Sequence, residues 1–185
     1  RQDSVDDLIQ ELDAESTAMF QRLMEDAQGR PIWVPLSGGL DSRFVLCKLK
    51  DLGYDNLRTF SYGPPGNYEA KGGKYVAEKV GVGWTFLPTY QKSSRAFFHS
   101  DFRKRYWEFG SHLAVLPFIQ DIQTFWEERE SAFFPGDAVM VNGNSGDFIT
   151  GGHVPDLCKG PDPFTGHYLV RAIMHKHYAL WPELI

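Results

Sequence analysis

The residues with the most chemical content lie in the run Leu36-Ser37-Gly38-Gly39-Leu40-Asp41-Ser42. Its two glycines let a backbone approach an anion closely, and the N–H groups opening a following helix would aim at that anion with the positive end of the helix dipole. The hydroxyls of Ser37 and Ser42 add donors. Asp41 is the informative residue, because a carboxylate beside a phosphate cradle repels its ligand unless a divalent cation sits between them. Magnesium suits that place, since it keeps several waters and takes one or two carboxylates along with phosphate oxygens. A second polar, glycine-rich run, Asn142-Gly143-Asn144-Ser145-Gly146-Asp147, lies far downstream.

Competing chemistries lack their residues. There is no Gly-x-x-x-x-Gly-Lys-[Ser/Thr] phosphate loop and no Gly-x-Gly-x-x-Gly after a strand, and Gly143-Asn144-Ser145-Gly146 misses the Gly-x-Ser-x-Gly spacing of a nucleophile elbow. His175 and His177 are two apart and would face different sides of a helix, and His153 reads as a surface residue. Cys47 and Cys158 have no second Cys or His at zinc spacing, and Cys47 reads as a small buried hydrophobe. The aromatics from Phe97 to Trp107 read as core rather than as a base-stacking surface.

The elements that must position these residues alternate in type. Residues 4 to 27 repeat Leu8, Leu12, Met19, Phe20, Leu23 and Met24 at helical spacing, and Gly29-Arg30-Pro31 ends that helix. Ile32 to Leu36 is of strand length, the Ser37 to Ser42 turn follows, and a helix from about Arg43 to Leu52 closes at Gly53. Leu57 to Tyr62 reads as a second strand, residues 63 to 67 as a loop, and Ala70, Tyr75, Val76, Ala77 and Val80 as the apolar face of the next helix. Trp84 to Leu87 gives a third strand. A helical, aromatic stretch from about Ser93 to Glu130 follows, then a last strand region at Phe133-Phe134 and Ala138 to Val141. Such alternation predicts an α/β fold, a parallel sheet covered by helices on both faces, with ligands at the carboxyl ends of the strands.

Bulk properties narrow the classes further. The 185 residues, 42% of them apolar and with 14 Phe, 8 Tyr and 5 Trp, suit one domain with a sizeable core. A net charge of −5 and the lack of a dense basic run argue against nucleic-acid or anionic-membrane binding driven by charge. No apolar stretch nears the roughly 20 residues of a membrane-spanning helix, no signal peptide is evident, and the two cysteines fit a reducing cytosol. The start at Arg1 and the end at Ile185 suggest a piece of a longer chain.

The first run resembles the pyrophosphate loop of the N-type ATP pyrophosphatases, and its form with Leu before Asp is most similar to the synthetase domain of the asparagine synthetases. Phe60-Ser61-Tyr62-Gly63 with Pro65-Gly66, Glu69, Ala77 and Gly81 resembles the family's second strand, adenine-side loop and helix. Asn142 to Asp147 with Gly151-Gly152 resembles its Ser-Gly-Glu-Gly-Ala-Asp-Glu-x-x-Gly-Gly segment. The likeness runs from roughly Ser16 to His153 and implies an adenine-nucleotide α-hydrolase-like fold with three layers. It implies that a small carboxylic acid attacks the α-phosphorus of ATP, releases pyrophosphate, and passes its acyl group to ammonia or an amine.

By the same resemblance, Ser37, Gly38, Gly39, Asp41 and Ser42 would hold pyrophosphate, Leu36 and Tyr62 would lie near the adenosine, and Asn142 and Gly143 would join the nucleotide site. Asp41 and Asp147 would share magnesium as the catalytic pair. Asn144 stands where the family has a glutamate, Asn142 where it has a serine, and Glu69 where it has an aspartate, so Asn144 and Glu69 are candidates for the substrate side. Asn can donate and accept hydrogen bonds but cannot act as a base, so either the pocket recognises a different carboxylate or ammonia is deprotonated elsewhere. A family lysine would lie beyond Ile185, or at Lys159 or Lys176. Ammonia would come from a glutaminase domain or partner outside this chain, a homodimer is allowed, and the cytoplasm is the expected location. The alternatives are another adenylating relative, of the thiolation or NAD-synthesis type, and a nucleotide-binding module that has lost catalysis.

Overall fold

A computed structural model describes residues 4–111, 117, 119–144, 146, 170, 171 and 174. The chain divides into two compact units, Arg1–Gly143 and Asn144–Ile185. The first holds every element below.

Helix α1 (Val5–Ala27) starts in a reciprocal capping box. The Ser4 hydroxyl accepts from the Asp7 N–H at 3.2 Å while the Asp7 carboxylate accepts from the Ser4 N–H at 3.1 Å. The Ser4 hydroxyl also donates to the Asp7 carboxylate at 2.7 Å, and this bond, with the one from the Ser4 N–H, favours the ionised form and holds Asp7 below the ordinary aspartate range. Gln28 in the left-handed conformation ends the helix. Sequence periodicity placed Leu8 and Leu12 on the buried face, but both are exposed, as is Met19; Phe20 and Ala27 are buried and Leu23 and Met24 pack beside them. Only the carboxyl half of α1 reaches the core.

Strands β1 (Ile32–Pro35), β2 (Leu57–Gly63), β3 (Gly83–Pro88) and β4 (Val139–Met140) form one parallel sheet in the order β3-β2-β1-β4. Ile32 pairs with Leu57 on one side and Val139 on the other, and Arg58 pairs with Gly83. Helix α2 (Leu40–Asp51) links β1 to β2, and α3 (Tyr68–Val80) links β2 to β3. Parallel crossovers are right-handed, so two successive steps in one direction put both helices on one face. Helices α4 (Gln91–Phe98), α5 (Asp101–Ser111) and α6 (Gln120–Glu128) belong to the return from β3 to β4. That return runs the opposite way along the sheet, so the same handedness sends it over the other face.

The side chains divide accordingly. Ile32, Val34, Leu36 and Leu57 are buried with Phe20, Leu46, Leu49, Val76 and Ala77. Alternate residues Trp33, Phe60 and Leu87 form a second cluster with Phe125, Phe133 and Phe134. Burial on both faces is why β1 reads as an unbroken apolar run. Phe133 and Phe134 are not strand residues, contrary to the sequence expectation; their rings meet Trp33 edge-on at 5.1 and 5.2 Å, and only Val139 and Met140 join the sheet. Cys47 is half-buried rather than fully enclosed. Among the described residues no helix is long and apolar enough to cross a membrane.

Candidate functional site

Strand β1 has β2 on one side and β4 on the other: the chain leaves β1 toward β2 and β3, then turns back across the sheet to place β4 on the far side of β1. Such a reversal opens a crevice at the strand ends, where ligands bind in open α/β sheets. The Ser37 to Ser42 run sits there. Gly39 is the N-cap of α2, which begins at Leu40, three residues before the sequence expectation, so Asp41 and Ser42 lie in its first turn. Asp41 is half-exposed and Ser42 is buried.

The two serines stitch the loop together. Ser42 Oγ accepts from the Ser37 N–H at 3.1 Å and lies 3.1 Å from Ser37 Oγ, which accepts from the Gly39 N–H at 3.1 Å. Arg43 Nη2 donates to the Gly38 carbonyl at 3.0 Å, and Arg43 Nε is buried without a protein partner. With that carbonyl held from behind by a guanidinium, the Gly38 N–H donates to Glu69 Oε2 at 2.9 Å. A carboxylate oxygen thus sits where the loop would receive an anion. The donors present suit a phosphate, and Asp41 adds a second carboxylate, in the first turn of α2.

Helix α3 supports the loop through two glycines that the sequence reading passed over. A Cβ on Gly72 would stand 2.7 Å from Gly38 Cα, and one on Gly73 would stand 2.5 Å from the Leu36 carbonyl oxygen and 2.6 Å from Ser61 Oγ. The signal was available: paired glycines inside a helix cost roughly 1 kcal/mol each against alanine, which calls for a close backbone approach. The Leu36 carbonyl accepts from Ser61 Oγ at 2.6 Å, and Ser61 Oγ accepts from the Trp84 indole N–H at 2.9 Å. The Leu36 side chain is in the core, leaving its backbone at the loop.

Past β4 the chain returns to the same place at Gly143. A Cβ on Gly143 would lie 2.6 Å from the Ser42 nitrogen and 2.8 Å from Asp41 Cβ, so this backbone lies directly against the first turn of α2. Asn142 is exposed beside it. Asn144 is exposed and belongs to the second unit. Ser145, Asp147, Gly151, Gly152, His153, Cys158, Lys159, His175, Lys176 and His177 lie outside the described residues. Among those described, no three His, Cys, Asp or Glu side chains gather as a metal site.

Tyr62, near the end of β2 on the opposite face of the sheet, packs on Phe60 and donates a very short hydrogen bond to Asp121 of α6. Burial first, then the bond and charge of Asp121, push the phenol well above its ordinary range. Burial also raises the Asp121 carboxyl, partly offset by the hydrogen bond from Tyr62. Sequence reading singled out Tyr62 but missed Asp121, a carboxylate in the first turn of α6, whose only signal is that Phe125 follows it four residues on.

The asparagine synthase family matches residues 16–97, a segment that carries β1, β2, β3 and the Ser37 to Ser42 loop and stops before Asn142. Over 67 residues the chain is 37% identical to the 7-cyano-7-deazaguanine synthase of Polynucleobacter asymbioticus (strain DSM 18221 / CIP 109841 / QLW-P1DMWA-1). That match covers 36% of this chain and 27% of the relative, so the chain matches only about a quarter of that protein's length.

Proposed function

The chain is a divergent member of the N-type ATP pyrophosphatase superfamily, and from that premise we propose that it serves an ATP-dependent ligase of the amide-forming, asparagine synthetase-like type. In this reading a substrate carboxylate oxygen attacks the α-phosphorus, the bond from that phosphorus to the bridging oxygen breaks, and pyrophosphate leaves into the Ser37 to Ser42 loop. The acyl carbon then passes from AMP to ammonia or an amine, which loses one proton. The observation that carries the reading is the stitched loop at the sheet's reversal point, whose Gly38 N–H already holds a carboxylate oxygen.

Phosphoryl transfer needs alignment and charge neutralisation more than a protein nucleophile. The Gly38 and Gly39 backbone and the start of α2 would orient the pyrophosphate; Leu36 and Tyr62 would border the adenosine. Magnesium, when bound, would spread the phosphate charge, with Asp41 and Asp147 as the carboxylates to hold it. Asn142 and Gly143 would close the loop from the β4 side, with Asn144 and Glu69 toward the substrate. The acid as small-molecule partner, an ammonia source outside this chain, a homodimer and a cytoplasmic location belong to the same proposal. A second reading, an adenylating enzyme with a different acceptor, is supported by the similarity to a 7-cyano-7-deazaguanine synthase and by Asn144, which cannot take a proton from an amine.

The test is exchange of labelled pyrophosphate into ATP, with magnesium and a broad panel of carboxylic acids. One acid should support exchange, and Asp41→Ala should lower it on the order of 100-fold at unchanged melting temperature. Absence of exchange with every acid, together with unaltered nucleotide binding by Asp41→Ala, would overturn the proposal. The products with ammonia, resolved by mass, separate the two readings.

A further inference from the structure

Glu69 has two reasons for its place. In the first turn of α3 a carboxylate is favoured by the helix dipole, and the same carboxylate reaches across to the Gly38 N–H at 2.9 Å. The reach is set by tight contact, since a Cβ on Gly72 would stand 2.7 Å from Gly38 Cα, so only a glycine there lets α3 come this close to the loop. One well-aligned N–H serves one acceptor. A phosphate oxygen that takes the Gly38 N–H must therefore remove Glu69 Oε2, and two anions held side by side would repel. Leaving is easy, because Glu69 is exposed and its carboxylate can exchange the N–H for water.

We propose that Glu69 is an internal, exchangeable anion of the loop, which keeps the Gly38 N–H aimed outward when no phosphate is bound and is displaced when pyrophosphate binds. The proposal rests on the loop being the pyrophosphate site and adds how its affinity is set. Displacement weakens pyrophosphate binding, and return of the carboxylate promotes product release.

The experiment titrates magnesium and inorganic pyrophosphate into the full chain, wild type, E69Q and E69A, by calorimetry, and follows the Gly38 amide by nitrogen-15 NMR. Both variants should bind pyrophosphate more tightly, E69A by about tenfold, the scale of one net hydrogen bond at an exposed site. In the wild type, pyrophosphate should shift the Gly38 amide, and E69A alone should also shift it. Equal or weaker binding by both variants, or a Gly38 amide indifferent to E69A, overturns the inference while leaving the loop a pyrophosphate site. Failure of all three proteins to bind pyrophosphate overturns the reading of the loop and this inference with it.

Discussion

Gly73→Ala sets two effects of opposite sign against each other. Alanine inside a helix is favoured over glycine by about 1 kcal/mol, so propensity alone makes the variant more stable. The new Cβ, however, would stand 2.5 Å from the Leu36 oxygen and 2.6 Å from Ser61 Oγ. Neither can yield cheaply, because Leu36 and Ser61 are buried and joined by a 2.6 Å hydrogen bond. Overpacking of this kind costs ~1–3 kcal/mol, and a buried carbonyl left without its partner costs a similar amount. The clash wins, with a net loss of roughly 2 kcal/mol, equivalent to a Tm lower by about 4–8 °C in a chain of this size. Leu36 precedes the loop, so pyrophosphate binding should weaken as well. Calorimetric melting of Gly73→Ala beside Gly136→Ala, whose Cβ would meet nothing within 4 Å, is the measurement. A Tm for Gly73→Ala at or above the wild type would refute the close approach of α3 to Leu36.

Asp121→Asn keeps an acceptor for the Tyr62 hydroxyl and removes a carboxyl that burial raises above its ordinary value. A raised acid binds its proton more tightly when folded, so its cost to stability is absent below the unfolded pKa and grows as pH rises through the folded one. The Tm of Asp121→Asn relative to wild type should therefore climb as pH rises above the ordinary aspartate range; a pH-independent difference refutes the assignment. Asn67 Oδ1 accepts from the Ala70 N–H at 2.7 Å and caps α3, so Asn67→Ala should cost ~1 kcal/mol in denaturant titration. No loss would mean that the cap is dispensable.

How much was legible in the chain depends on the range of the interactions. Ser37 to Ser42 could be read because a strand, a glycine turn and a helix start are adjacent in sequence. The same held for the span of α1 from residue 4 to 27 and for the loop of residues 63 to 67 that precedes α3. Leu8 and Leu12 show the limit: helical spacing marks an apolar stripe but not whether anything covers it. Phe133 and Phe134 show another, since two apolar residues before a short strand serve equally as a ring cluster over Trp33. Glu69 was found as a residue but not as the acceptor for Gly38, and Gly72, Gly73 and Asp121 went unread.

The sequence by itself determined an α/β alternation and a loop of anion-binding type, because periodicity, turn residues and capping act over a few neighbouring positions. Tertiary structure alone decided that β4 lies on the far side of β1 from β2 and that Gly143 rests on Asp41 and Ser42. It also decided that the Glu69 carboxylate reaches the Gly38 N–H before any phosphate does. These are contacts between distant segments, fixed by the handedness of the crossovers and by how closely two backbones can meet where one lacks a Cβ.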